Sequence, residues 1–150
     1  MLYVTLHAAW MILAVAVGMV AGYTGLLRAT QRPDGSSPLP GRFLMRSHIS
    51  CGTTYYAMIY IGLLFGWAVH EFLLEQPVLP DGPFKVHVVL AVAIGVLYGV
   101  AWILGSQMTR EAAGPRRLRP RLHMVANFTA CTLVAVQIVL AAYYVWIRPG

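Results

Sequence analysis

The stretch 84–108, FKVHVVLAVAIGVLYGVAWILGSQM, decides the fold. It carries no charge after Lys85, and its one strongly polar interruption is His87. A helix of about 20 apolar residues spans the hydrocarbon core of a bilayer, so this run is long enough to cross one. Working outward, three more runs of the same kind are found: Tyr3 to Leu27, Phe43 to Val69 and Leu122 to Ile147. His48, His70, His87 and His123 are the main strongly polar interruptions of the four. Of the 150 residues 59% are hydrophobic and only 11% charged, which excludes the balance of a soluble globule. Lipid offers a spanning backbone no hydrogen-bond partner, so each run must be a helix. The expected fold is all-α: one transmembrane domain, 1–150, built as a four-helix up-and-down bundle.

The connections agree. RATQRPDGSSPLPGR and TREAAGPRRLRPR are rich in turn-forming residues, and EFLLEQPVLPDGP is short and acidic. The first run lacks a basic n-region and exceeds the usual length of a leader's apolar core, so it reads as a retained helix. Arg28, Arg32, Arg42 and Arg46 flank the first connection, and Arg110, Arg116, Arg117, Arg119 and Arg121 the third. Only Lys85 and Arg148 are left for the other face. The positive-inside rule then puts connections one and three in the cytoplasm of a bacterial inner membrane. Both termini and the acidic connection, with Glu71, Glu75 and Asp81, face outside. The net charge of +6 follows from this topology and does not call for a nucleic-acid partner. Cys51 and Cys131 lack a Cys-x-x-Cys or Cys-x-x-Cys-His context, which excludes covalent haem attachment, and both read as small core residues. No repeat is visible beyond a basic residue two positions before a histidine, and no catalytic motif is present.

That device occurs at Arg46-Ser47-His48, Lys85-Val86-His87 and Arg121-Leu122-His123. Counting about 1.5 Å per residue places His48 and His123 roughly one turn inside the cytoplasmic face. His7 and His87 fall one turn inside the outer face, with His70 near them but closer to water. In an up-and-down bundle helices one and three lie across one diagonal, two and four across the other, so the four histidines form two facing pairs. Intramembrane ionisable residues are costly and usually functional. Two neutral imidazoles at one depth suit the axial positions of haem iron, with the flat porphyrin in the bundle core. Arg46, Arg121 and Lys85, read as beginning their helices beside free amides, suit the haem propionates. The competing readings are interfacial histidines bonded to a carbonyl or water, and ordinary interfacial cations. One turn after the proposed ligands stand Gly52, Ala91, Asn127 and Met11, of which Gly52 and Ala91 leave room for a porphyrin edge. Small-residue ladders at Gly18 and Gly22, Gly62 and Gly66, and Ala91, Gly95 and Gly99 point to close helix packing. Trp10, Trp67, Trp102 and Trp146 read mostly as an interfacial belt.

These residues give a resemblance. With Arg46-Ser47-His48-Ile49-Ser50-Cys51-Gly52, Lys85-Val86-His87, Arg121-Leu122-His123-Met124-Val125-Ala126-Asn127 and Gln137, the chain resembles the cytochrome b561-like and ferric-reductase-like membrane cytochromes. It is also similar to an uncharacterised group of bacterial four-helix membrane proteins. The resemblance covers nearly the whole chain. It implies histidine-ligated haem b and electron transfer across or within the membrane, between a quinone or soluble donor and an acceptor, for a redox complex; the depth and diagonal argument would pair His48 with His123 and His7 with His87 (His70 as the alternative) around two haems. Another redox subunit or a cytochrome would then be the partner. The chain lacks the flanking helices of six-helix members, so ascorbate as donor is not implied. The alternative is a haem-free anchor or assembly subunit packing through its glycine ladders. A quinone site using His70, Lys85 or Gln137 is compatible with either.

Overall fold

The computed structural model describes residues 2–30, 41–73, 75, 83–110 and 118–143, with side chains left out at Arg42, Pro83, Thr109 and Arg110. Four helices account for nearly all of them: α1 (Leu2–Ala29), α2 (Gly41–Ala68), α3 (Pro83–Arg110) and α4 (Leu118–Ala142). No strand occurs among the described residues. All four helices are long and apolar enough to cross a membrane, with spans of 28, 31, 25 and 25 residues in chain order. Large apolar side chains stand exposed on every one, among them Met19, Leu64, Val96 and Val139. A water-soluble protein would not present so much apolar surface, whereas hydrocarbon solvates it at no cost.

The helix starts follow local chemistry. Pro83 opens α3, where its missing amide would have had no intrahelical partner. α4 begins at Leu118, one turn earlier than the apolar run suggests, because Pro120 falls inside the first turn, where a proline is tolerated. α2 starts at Gly41, directly after Pro40 in the sequence. At its other end α2 runs on as a wider π-helical segment, Val69–Leu73, which carries His70 and Glu71. Glu75 is exposed in the left-handed backbone region, at φ 51°. Asp81, Arg32, Arg116, Arg117, Trp146 and Arg148 lie outside the described residues.

The chain divides into two compact units, Met1–Val69 and His70–Gly150. In the first, α1 packs on α2; in the second, α3 packs on α4. Between helices in lipid the hydrophobic effect is absent, and close packing and hydrogen bonds must hold them together. α1 accordingly offers small residues, Ala14, Ala21 and Thr24, to the larger Leu44, Tyr55, Met58 and Ile59 of α2. The ring of Tyr55 lies directly over Gly18, where an added Cβ would come within 2.8 Å of it. Trp10, half-buried rather than only an interfacial belt residue, donates its indole N–H to the Met58 carbonyl at 2.8 Å. In the second unit both helices contribute small residues to the seam. Ala126, Ala130 and Val134 of α4 recur every fourth residue, and Ile94, Tyr98 and Ala101 are buried on α3.

Cys51 and Cys131 are both free thiols. Cys131 corrects the expectation of a core residue: it is exposed, one position past the buried Ala130, and the Tyr98 hydroxyl reaches its Sγ at 3.4 Å.

Candidate functional site

In the first hairpin each histidine is seated on a glycine of the opposite helix. The His48 ring lies over Gly25, where a Cβ would stand 2.8 Å from its Cε1. The His7 ring lies over Gly66, where the same test gives 3.0 Å, and beside Phe65 at a ring separation of 6.1 Å. Along either helix the two levels are 18 residues apart (His7 to Gly25 on α1, His48 to Gly66 on α2). That is about 27 Å at 1.5 Å per residue, close to the thickness of the hydrocarbon core. The first hairpin thus keeps His7 and His48 at separate levels, one toward each of its ends.

The second hairpin repeats the arrangement at the His123 level. There the ring lies over Gly105 of α3, with a Cβ test distance of 3.2 Å. In both hairpins the ring is also fixed by a carbonyl one turn before the glycine. His48 Nδ1 bonds the Ala21 carbonyl at 2.9 Å, and His123 Nδ1 bonds the Ala101 carbonyl at 2.8 Å. A carbonyl can only accept, so Nδ1 carries the proton and a neutral ring holds its lone pair on Nε2.

These contacts expose a repeat that the sequence alone hides. The seam of α1 runs His7, Ala14, Gly18, Ala21, Gly25; the seam of α3 runs His87, Ile94, Tyr98, Ala101, Gly105 at identical spacing. On the second helix of each pair Arg46, His48 and Thr54 correspond to Arg121, His123 and Thr129. Midway along the seam large and small exchange sides. Gly18 and Tyr55 in the first hairpin correspond to Tyr98 and Ala130 in the second, both of which are fully buried. Gly25, Gly105, Ala21 and Ala101 were not singled out from sequence. The signal that could have found them is His-x13-Ala-x3-Gly, present in both α1 and α3.

The halves differ beside the rings. Asn127 donates its amide to the His123 carbonyl at 2.8 Å and lies 3.3 Å from His123 Nε2. The Gln137 amide nitrogen lies 3.3 Å from each ring nitrogen of His87, and its Oε1 is buried with no hydrogen-bond partner among the described residues. The first hairpin has glycine at both corresponding positions, Gly52 and Gly62. Gly62 accommodates Met11 and Trp10, and a Cβ on Gly52 would meet nothing within 4 Å among the described residues.

The cations behave less uniformly than expected. Arg121 and Lys85 fall in the first turns of α4 and α3. Arg46 does not begin its helix: α2 opens at Gly41, which puts Arg46 more than a turn inside it. All three are exposed. His70 sits half-buried in the π-helical segment. Among the described residues no group of three or more His, Cys, Asp or Glu converges as a multi-ligand metal centre would require. An apolar hollow of about 270 Å³ lined by Leu6, Trp10, Ile61 and Phe65 adjoins His7. It falls short of the usual volume of a small-molecule pocket, roughly 300 Å³ upward. Compared with protein-family models, curated proteins and solved structures, the chain matches none.

Proposed function

We propose that the chain is a membrane cytochrome b, holding two haem b through intramembrane imidazoles and serving as an electron-transfer subunit of a larger oxidoreductase. One observation carries this reading. In both hairpins an imidazole is seated on glycine with its Nδ1–H committed to a backbone carbonyl. Second-neighbour bonds of this type orient metal-binding histidines, because they fix the tautomer and raise the basicity of the other nitrogen. An interfacial histidine bonded to a carbonyl makes the same hydrogen bond, so the glycine under each ring is the feature that favours the haem reading.

The donor set fits haem better than a bare metal ion. A porphyrin supplies four nitrogens of its own and asks the protein for only one or two imidazoles, so no cluster of three ligands is needed. When bound, the group would supply one-electron chemistry within an apolar barrier roughly 30 Å thick. The chain's residues would hold the ring orientation through Ala21 and Ala101 and exclude water by helix packing. Arg46 and Arg121, at the same end as His48 and His123, offer charge to propionates, as does Lys85 at the His87 end. We place the chain in a bacterial inner membrane with both termini outside, and assign donor and acceptor to a redox subunit or cytochrome, with a quinone as an alternative carrier.

A second reading is favoured by Asn127, whose amide already meets His123 Nε2. On that reading the histidines are structural pins of a haem-free anchor subunit. A reduced-minus-oxidised absorption spectrum of the purified chain, prepared from iron-replete cells, separates the two. The cytochrome reading expects α, β and Soret bands and about two haems per chain, extractable by acidic acetone. A cofactor-replete preparation without a Soret band would leave the anchor reading.

A further inference from the structure

We propose that Arg119, at the start of α4, holds the phosphate of an anionic phospholipid from the leaflet at that end of the helix. The inference rests on the membrane-spanning helices and is independent of the cytochrome reading. Its origin is an exchange of charge between helices within the repeat.

The spacing that relates His48 to His123 also relates Leu44 to Arg119, and the spacing that relates Gly25 to Gly105 relates Arg28 to Met108. Each hairpin therefore carries one arginine and one apolar residue about a turn beyond its His48 or His123 level, and the two change helices between the hairpins. Leu44 is fully buried, whereas Arg119 is half-buried with its Nη1 enclosed. Arg119 precedes His123 by four residues, so it lies on the same side of α4, the side that packs on α3. Arg121, only two residues before His123, projects from the opposite side and is exposed.

The two placements differ electrostatically. Arg28 stands in the last turn of α1, where the partial negative charge of a helix C-terminus favours a cation. Arg119 stands in the first turn of α4, where the helix dipole opposes a cation and favours an anion, and no acidic residue shares that turn. From Arg110 to Arg121 the sequence sets five arginines against Glu111 alone, so the counter-charge must come from outside this segment. The membrane span of α4 begins at Leu118, which puts Arg119 at the depth of lipid headgroups, where the available anion is a phosphate. A guanidinium offers two parallel N–H donors to two phosphate oxygens. Enclosure of Nη1 holds the group in place beforehand, so less side-chain freedom is lost when the lipid binds.

The test uses the full chain purified in detergent, with phosphatidylglycerol and phosphatidylcholine of identical acyl chains as probes and native mass spectrometry to read bound lipid. Phosphatidylglycerol should bind more tightly, and Arg119→Gln should weaken it about fivefold, the effect of one cation at the membrane surface. Arg119→Leu installs the residue that the first hairpin has at this position, so it should keep the fold, checked by circular dichroism, and show the same loss. Arg28→Gln removes an equal charge and should do less. Equal binding of the two lipids, unchanged phosphatidylglycerol binding in both Arg119 variants, or an equal loss in Arg28→Gln overturns the proposal. So does displacement of the lipid by inorganic phosphate at equal concentration, which would make the site one for the free ion. None of these outcomes depends on haem content, so the cytochrome reading stands or falls separately.

Discussion

Replacing Gly25 by alanine tests the ring seat directly. The added methyl would stand 2.8 Å from His48 Cε1 and 2.9 Å from Nδ1, closer than carbon approaches a ring, so the imidazole must leave its place. Moving it breaks the 2.9 Å bond to the Ala21 carbonyl, a loss of about 0.5–1.5 kcal/mol. Overpacking at the seam adds about 1–3 kcal/mol. Alanine is better than glycine within a helix by roughly 0.5–1 kcal/mol, which offsets part of this. The expected net destabilisation is about 2 kcal/mol, a fall in Tm of roughly 4–8 °C for a chain of this size. Gly105→Ala makes the same change at the corresponding position but meets His123 at 3.2 Å, where a shift of a few tenths of an ångström suffices. Strain and helix preference should then nearly cancel, to within about 1 kcal/mol. Gly22→Ala, with nothing within 4 Å among the described residues, is the control and should be neutral or slightly stabilising. Thermal unfolding in detergent, followed by circular dichroism, gives all three values. Equal losses for Gly25→Ala and Gly105→Ala, or a loss at Gly22→Ala, would refute the reasoning from seat geometry.

Other predictions address the ligands, the packing and the topology. On the pairing read from the sequence, His48→Ala and His123→Ala should abolish the same haem, and His7→Ala and His87→Ala the other, while His70→Ala leaves both spectra near wild type. Haem content and redox titration of each single variant check this, and loss of a haem in His70→Ala with retention in His7→Ala would move the ligand assignment to His70. Trp10→Phe keeps a ring in the hairpin but removes the donor to the Met58 carbonyl, and should lower stability by about 1 kcal/mol; an unchanged unfolding midpoint would show that bond to be idle. A periplasm-specific reporter fused after Gly150 should be active, and activity of a cytoplasm-specific reporter there instead would reverse the orientation.

The four helices were legible in the sequence because the bilayer makes one demand that a linear reading can check: an apolar run of sufficient length. The separation of His7 from His48 along the first hairpin was legible for a related reason, since distance along a helix is proportional to residue count. Neither fact tells which residue faces which across a hairpin. That depends on register between segments separated in sequence, 27 residues for His48 and Ala21, and register is set by packing of Gly18 against Tyr55 and of Gly25 against His48. Only these contacts show that Ala21 and Gly25 on α1 match Ala101 and Gly105 on α3. The repeat is faint in the sequence because lipid accepts almost any apolar side chain. Outward positions can then differ freely while the seam keeps its histidine, alanine and glycine. The seam also permits exchange of bulk between helices, as Gly18 with Tyr55 and Tyr98 with Ala130 demonstrate, because close packing constrains the summed volume at a contact and not which helix supplies it.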